Sequence, residues 1–376
     1  MRSKPRSAIL VLADGTEFRG VSFGSPKSSP GEVVFSTGMV GYPQSLTDPS
    51  YRGQILVLTY PLVGNYGVPQ RGADRMGIPK MLESDRTQVS GLVVSELCEE
   101  PSHYSSRSSL SAWMEEEGVP GISGIDTRAL TRALRSHGVM RGKIIVEGAE
   151  DIEPIEENED RNLVAEVSCA EPKVYAPGAP GPRIAVVDCG VKANILRIIL
   201  GAGASVIRLP WDSDLRGLDY DGIFLSNGPG DPKACTKTIA AVRRFLSEDK
   251  PVFGICLGNQ ILGLAAGADT YKLPYGHRGQ NQPAQEVGTR RCYMTSQNHG
   301  YAVREDSLPK GWEPWFVNGN DGTIEGIRSR KGPFSAVQFH PEGCPGPQDT
   351  KFLLEAFVAQ AKARASRKGR AAGGVA

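Results

Sequence analysis

The sequence lacks the markers of several protein classes. Its seven cysteines are odd in number and scattered, and no Cys-x-x-Cys pair occurs, so neither a disulfide framework nor a zinc site is expected. No apolar run approaches the roughly 20 residues of a membrane span. A net charge of +1 provides no overall field that selects nucleic acid or an acidic membrane. We therefore expect no metal, nucleic-acid or membrane partner, and a reducing, cytoplasmic location that suits free thiols.

The bulk composition is that of a globular protein with more than one domain. The chain has 376 residues, 39% of them apolar and 23% charged, which is too long for one ordinary core and suits two. The N-terminus is basic, but the apolar stretch 8–13 is short and turns at Asp14-Gly15. This pattern favours a first hairpin over a signal peptide.

Short β-like runs separated by Gly and Pro turns dominate residues 1–148 and predict a mixed, mostly β domain. The runs are 8–12, 32–36, 54–59, 91–95 and 142–146, and helical patterns cover 109–117 and 125–137 with Asp126 or Thr127 as N-cap. Residues 149–182 are first acidic and then rich in Pro and Gly, which predicts a linker. Residues 364–376 are basic and predict a disordered tail.

Strand and helix patterns alternate with short loops over residues 183–363. Strands are expected at 183–188, 205–209, 222–226 and 251–254, with helices between them and a last helix at 349–363. Such alternation is typical of an α/β fold with a parallel sheet covered on both faces. Ligands bind beyond the carboxyl ends of strands in these sheets, and Ser226, Cys256 and His340 all lie at such ends.

Cys256 stands between two glycines, Gly254 and Gly258, where a strand gives way to a helix. This elbow lifts a nucleophile above a sheet, and the helix N-terminus favours the thiolate that attacks carbonyl carbon. His340 follows the strand 334–339, and Glu342 lies two residues further on. The order Cys, His, Glu provides a nucleophile, a base and an orienting carboxylate. Each residue alone also fits a packing or surface role, since free cysteine is most often buried.

The segment Ser226–Pro232 contains two glycines and two prolines and follows the third strand. Together with the amide of Leu257 it is expected to form an oxyanion hole, because attack on an amide creates a tetrahedral oxyanion. A phosphate-binding loop or a plain turn is the alternative. No GxxxxGK[ST] phosphate-binding motif occurs in the chain.

Together these segments resemble the class I (triad) glutamine amidotransferases. Three segments carry this resemblance, in the family's order: 226–232, 254–260 and 340–342. The first domain is similar to the small subunit of carbamoyl-phosphate synthase, through residues 31–42, 46–51, 58–65 and 124–131. The resemblance implies a class I amidotransferase domain at 183–363 and a large-subunit docking domain at 1–148.

The resemblance also implies a reaction. Cys256, His340 and Glu342 would hydrolyse L-glutamine, and the ammonia would pass through a tunnel to the carbamoyl-phosphate synthase large subunit. That partner would use bicarbonate and ATP to make carbamoyl phosphate for arginine and pyrimidine biosynthesis. No cofactor is expected in this chain, because ATP and a divalent cation belong to the large subunit.

Carried over by position, the family's glutamine contacts fall on eight residues: Ser50, Gly228, Gly230, Leu257, Gln260, Asn298, Gly300 and Tyr301. Relatives often carry Phe where Tyr301 stands, and a backbone contact survives that change. They often carry His where Asn259 stands, so Asn259 is given no role. His299 remains a rival base.

Two other functions compete with this interpretation. A stand-alone thiol hydrolase on the same fold would need no partner, and the family-like first domain argues against it. A catalytically silent regulatory subunit would have lost its site, whereas Cys256, His340 and Glu342 are all present.

Overall fold

Residues 6–150, 161–248 and 250–372 are described by a computed structural model. They form two units, residues 6–74 with 79–150 and 161, and residues 75–78 with 162–248 and 250–372. The division between residues 161 and 162 lies within the predicted linker 149–182. Most of the acidic part of that linker, 151–160, and the last four residues of the predicted tail lie outside the described residues.

The first unit is built around a closed β-barrel with strand order β1-β11-β3-β4-β7-β10-β2. Its strands are β1 (Ser7–Leu12), β2 (Glu17–Gly24), β3 (Ser29–Ser36), β4 (Gln54–Leu58), β5 (Leu62–Val63), β6 (Val68–Pro69), β7 (Gly91–Val93), β8 (Glu96–Leu97), β9 (Ser106–Ser108), β10 (Pro120–Ser123) and β11 (Met140–Val146). Its helices are α1 (Tyr42–Leu46), α2 (Leu110–Glu116) and α3 (Thr127–His137). The mostly β character expected from the sequence is confirmed.

Local sequence accounts for the elements of this unit. Ala8, Leu10 and Leu12 are buried while their neighbours in β1 are more exposed, as alternation along a strand requires. Helix α3 begins after Asp126, whose carboxylate accepts a hydrogen bond from the Ala129 amide at 2.8 Å. Asp126 is therefore the N-cap of this helix.

The second unit contains one ten-stranded sheet and five helices among the described residues. The strands are β12 (Lys173–Tyr175), β13 (Arg183–Asp188), β14 (Ser205–Pro210), β15 (Gly222–Leu225), β16 (Val252–Ile255), β17 (Thr270–Glu286), β18 (Cys292–Val303), β19 (Trp312–Asn318), β20 (Ile324–Ser329) and β21 (Phe334–Val337). The helices are α4 (Leu163–Val167), α5 (Ala193–Gly201), α6 (Thr236–Phe245), α7 (Leu257–Ala266) and α8 (Phe352–Ala372).

The expected parallel sheet forms the centre of this unit, with the order β14-β13-β15-β16-β21. Antiparallel strands extend it on both sides, β12 beside β14 and then β20, β19, β17 and β18 beyond β21. The α/β class is therefore confirmed, and the sheet is mixed. The long antiparallel strands β17 and β18 were not predicted from the sequence.

Two apolar layers cover the parallel strands. Ile184 and Val186 of β13 pack in a cluster with residues of α5 and α8, whereas Ala185 and Val187 pack with residues of α6 and α7. Successive side chains of a strand point to opposite faces, so an uninterrupted apolar run is what a strand with helices on both sides needs.

Helix α8 is longer than predicted. It begins at Phe352 and continues to Ala372, so it extends into the segment 364–376 that was expected to be a disordered tail. Among the residues described, every helix falls short of the length or the apolar character that crossing a membrane requires.

Candidate active site

Cys256 occupies a sharp turn between β16 and α7. Its φ is 54°, a left-handed backbone conformation that non-glycine residues rarely adopt, and its side chain is 2% exposed. A Cβ on Gly254 would lie 2.5 Å from the Gly258 carbonyl oxygen, and one on Gly258 would lie 2.2 Å from the Leu225 carbonyl oxygen. The two glycines are thus required because the turn packs its backbone too closely for any side chain.

The turn is held next to the strand that leads to the predicted base. The Cys256 amide donates to the Val337 carbonyl of β21 at 2.8 Å, and the His340 amide donates to the Ser296 carbonyl of β18 at 2.8 Å. Leu257 follows Cys256 in the first turn of α7, where backbone N–H groups have no acceptor within the helix. Partial positive charge therefore lies at this end of the helix, next to Cys256.

His340 and Glu342 form a buried pair. His340 Nδ1 lies 2.7 Å from Glu342 Oε1, and both side chains are at most 2% exposed. Burial disfavours the charged imidazole, but the Glu342 carboxylate and the Cys256 thiol outweigh it and raise the pKa of His340. His340 Nε2 has no hydrogen-bond partner among the described residues, which leaves this nitrogen available to the thiol or a substrate.

Lys192 is a site residue that the sequence analysis missed. Its Nζ lies 3.0 Å from Glu342 Oε1 and donates to the Gly343 carbonyl at 2.8 Å. Burial raises the pKa of Glu342, but Lys192 and His340 overcome this and lower it below its usual range. The sequence contained one indication of this role. Lys192 lies shortly after the carboxyl end of β13, at the same sheet edge as Cys256 and His340.

The Ser226–Pro232 segment holds the Lys192 loop. Ser226 Oγ accepts a hydrogen bond from the Cys189 amide at 2.9 Å, and Asn227 Oδ1 accepts one from the Lys192 amide at 3.2 Å. A Cβ on Gly228 would lie 2.1 Å from the Cys189 carbonyl oxygen and 2.7 Å from Leu257 Cδ2. Gly228 therefore packs against the Leu257 side chain. An oxyanion hole formed from their two amides stays a prediction.

Strand β18 brings three of the predicted glutamine contacts to the same region. The Cys256 sulfur lies 3.6 Å from the Asn298 carbonyl oxygen. Gln260 Nε2 donates to the Tyr301 carbonyl at 2.9 Å, and Gly300 lies between the two strand residues. The Asn298 side-chain amide nitrogen is buried and has no hydrogen-bond partner in the described chain. It is a donor available to a polar ligand.

Gly230 and Ser50 are the remaining two predicted glutamine contacts. Gly230 has φ of 84° and approaches Leu163 of α4. Ser50 belongs to the first unit, where it is buried in a 3₁₀ turn and its amide donates to Asp48 Oδ1 at 2.9 Å. The glutamine-binding role of Ser50 stays a prediction.

The rival base His299 has other partners. Its Nδ1 lies 2.9 Å from the Tyr301 carbonyl oxygen, and its Nε2 lies 3.4 Å from Gln297 Oε1 and 3.7 Å from Glu325 Oε1. Burial lowers the pKa of His299. His299, His277 and Glu325 each offer one nitrogen or oxygen atom that could bind a metal. These three atoms lie within 4.8 Å of one another, close enough to hold a metal ion. His340 is the histidine whose pKa the Cys256 thiol raises.

Known protein families match both units. Residues 185–360 match glutamine amidotransferase class-I, and residues 10–144 match the carbamoyl-phosphate synthase small chain, CPSase domain. The chain belongs to the carbamoyl-phosphate synthase small-chain family. Its second unit is a class-I glutamine amidotransferase domain, as the resemblance implied.

Individual relatives of this small-chain family are similar over most of the chain. It is 49% identical over 354 residues to "Multifunctional protein CAD" of Squalus acanthias and 47% identical over 362 residues to human "Carbamoyl-phosphate synthase [ammonia], mitochondrial". These alignments cover 93% and 96% of this chain but 16% and 24% of the relatives, so the chain spans less than a quarter of their length.

Among solved structures, a glutamine amidotransferase from Thermotoga maritima is 17% identical. The match covers 48% of this chain and 95% of that one, with a TM-score of 0.37.

Proposed function

We propose that this chain hydrolyses L-glutamine to glutamate and ammonia, with Cys256 as nucleophile and His340 as acid and base. The observation that carries the proposal is a thiol at a strained elbow that interacts with the His340 imidazole, whose Nδ1 lies against the buried Glu342 carboxylate. This is the arrangement of a nucleophile, a base and an orienting group that covalent acyl transfer needs. The amidotransferase class of the second unit supports glutamine as the amide.

The first half of the reaction forms a thioester. Cys256 Sγ, as thiolate, attacks the side-chain carbonyl carbon of glutamine, and the oxygen becomes an oxyanion that the amides of Gly228 and Leu257 receive. The C–N bond then breaks, and His340 Nε2 gives its proton to the departing nitrogen, which leaves as ammonia. A γ-glutamyl thioester remains on Cys256.

The second half releases glutamate. Water attacks the thioester carbon while neutral His340 takes a proton from it, and the C–S bond breaks to return the thiolate. Glu342 holds the imidazole in one orientation through Nδ1, which leaves Nε2 directed to the reaction in both halves. Lys192 keeps Glu342 ionised throughout, because a buried carboxylate otherwise tends to become neutral.

We further propose that the ammonia passes to a carbamoyl-phosphate synthase large subunit in a heterodimer. The small-chain family of residues 10–144 and the much greater length of the relatives support this partner. We assign the ATP and divalent-cation sites to that large subunit and no cofactor site to this chain. The product would serve arginine and pyrimidine biosynthesis, and the location proposed is the cytoplasm.

Co-expression with the large subunit tests the proposal. Carbamoyl phosphate is measured with glutamine and, separately, with ammonium as nitrogen source, for the parental complex and for a Cys256→Ala complex. We expect the variant to lose synthesis from glutamine and to retain synthesis from ammonium. A variant that uses glutamine at the parental rate contradicts the role of Cys256, and a parental pair that makes no carbamoyl phosphate from either source contradicts the partner.

A further inference from the structure

A second buried ionisable cluster lies in the amidotransferase unit, among β17, β18 and β20. His277 Nδ1 lies 3.2 Å from Glu325 Oε1, and His277 Nε2 lies 2.8 Å from Asp321 Oδ2. Asn318 Nδ2 donates to the same Glu325 oxygen at 3.1 Å and lies 3.3 Å from His277 Nδ1. Glu325 is fully buried and His277 is 8% exposed. The mechanism uses none of these residues.

Two carboxylates flank the ring of His277, one at each nitrogen. A neutral imidazole has one N–H, so it can donate to only one of two carboxylates that flank its ring nitrogens. Burial lowers the pKa of His277, but hydrogen bonds and charge from Glu325 and Asp321 overcome it and raise the pKa above its ordinary value. The pKa of Glu325 is in turn lowered by the two histidines, although burial opposes this.

The cluster is connected to the predicted substrate edge through His299. The His277 and His299 rings meet edge to face with centroids 4.9 Å apart, and Glu325 Oε1 lies 3.7 Å from His299 Nε2. His299 Nδ1 contacts the Tyr301 carbonyl, which also accepts from Gln260. His299 directly follows Asn298, whose carbonyl lies against the Cys256 sulfur.

A backbone contact adds a second connection. The Gln338 amide donates to the Glu325 carbonyl at 2.8 Å, and Gln338 Oε1 accepts from Gln260 Nε2 at 3.2 Å. One residue, Phe339, separates Gln338 from His340. The cluster is thus connected to the Tyr301 carbonyl through His299 and to Gln260 through Gln338.

We propose that the buried ion pair of Glu325 and His277 positions the Asn298–Tyr301 edge for glutamine binding, by holding His299 in the orientation that fixes the Tyr301 carbonyl. Glu325 and His277 are positioning residues for KM. The inference rests on the proposed glutaminase function.

Glu325→Gln is the main test, because it removes the charge and keeps the shape. We expect KM for glutamine to rise about tenfold at neutral pH with kcat changed less than about twofold, the signature of lost substrate binding. Asp321→Asn is the matched control. Asp321 is partly exposed and contacts His277 at Nε2, the ring nitrogen that does not face Glu325. We therefore expect a smaller rise of KM in this variant.

An NMR titration of His277 provides a readout that needs no turnover. The pKa of His277 should fall in Glu325→Gln, and the amide signals of residues 298–301 should shift with it. The inference is overturned if Glu325→Gln keeps the parental KM and the parental pKa of His277. It is also overturned if the variant has a lower kcat and an unchanged KM. One tightly held equivalent of divalent metal in the purified parent, lost in Glu325→Gln, also overturns it in favour of a metal site. A parent that hydrolyses no glutamine, with the NMR result as expected, instead contradicts the proposed function alone.

Discussion

Lys192 Nζ and His340 Nδ1 meet on a single atom, Glu342 Oε1, at 3.0 Å and 2.7 Å. All three side chains are at most 2% exposed. A buried carboxylate thus has one permanent cation and one titratable partner. The arrangement fixes the charge of Glu342 and leaves the proton of His340 free to move during the reaction.

Removing the cation should destabilise the fold. Lys192→Met leaves Glu342 buried with one partner fewer, and we expect the free energy of unfolding to fall by about 3 kcal/mol, measured by urea denaturation. Lys192 lowers the pKa of Glu342, so the carboxylate contributes stability that is lost as the pH falls. In Lys192→Met this loss should begin at higher pH.

The double variant Lys192→Met with Glu342→Gln is the control for this prediction. It removes both charges, so its destabilisation should be smaller than the sum of the two single effects. Simple additivity would contradict a direct interaction between the two groups.

Glu342→Gln should change the pH profile of the reaction. Glu342 raises the pKa of His340, so without the carboxylate the imidazolium should be lost at lower pH. We expect the alkaline limb of kcat for glutamine hydrolysis to move to lower pH, and kcat at its optimum to fall about a hundredfold or more. An alkaline limb at the parental pH would exclude His340 as the group that titrates there.

The elbow glycines should tolerate no side chain. A Cβ at Gly258 meets the Leu225 carbonyl at 2.2 Å, and overpacking of this kind costs about 1–3 kcal/mol of stability. We expect Gly258→Ala to lower the melting temperature and kcat together. Gly201→Ala is the matched control, because no atom lies within 4 Å of its Cβ, and it should keep parental activity and stability. Equal behaviour of the two variants would contradict the close packing of the turn.

Two thiol reagents should select different cysteines. Cys292 is exposed, so a small general alkylating agent should modify it readily, whereas Cys256 is 2% exposed. An electrophilic glutamine analogue should instead modify Cys256 first, since binding places it at the elbow. Peptide mass spectrometry after partial labelling locates the modification. Analogue found mainly on another cysteine would contradict a glutamine site at Cys256.

Short sequence segments were enough to predict part of the site and of the fold. The turn around Cys256 and the placement of Glu342 two residues after His340 follow from short segments, and so does the cap at Asp126. The alternating strands and helices from residue 183 likewise predicted the parallel centre of the sheet, because each βα unit carries its own pattern.

Features that depend on distant pairing were not predicted. Lys192 reaches Gly343 across 151 positions, and a buried lysine has no sequence signature of its own. The antiparallel strands β17 and β18 contain many polar residues, so their periodicity is weak. Closure of the barrel depends on β1 pairing with both β2 and β11, which composition cannot specify. The Glu325 cluster joins three strands in the same way.

Trapping the intermediate tests the central claim most directly. The protein is mixed with glutamine labelled in its carbon chain, quenched in acid during turnover and digested, and the labelled peptide is identified. We predict an acid-stable γ-glutamyl thioester on Cys256, absent from Cys256→Ala, that accumulates during turnover because its hydrolysis is slower than its formation. Glutamine turnover with no protein-bound label, or with label on a residue other than Cys256, would contradict the account.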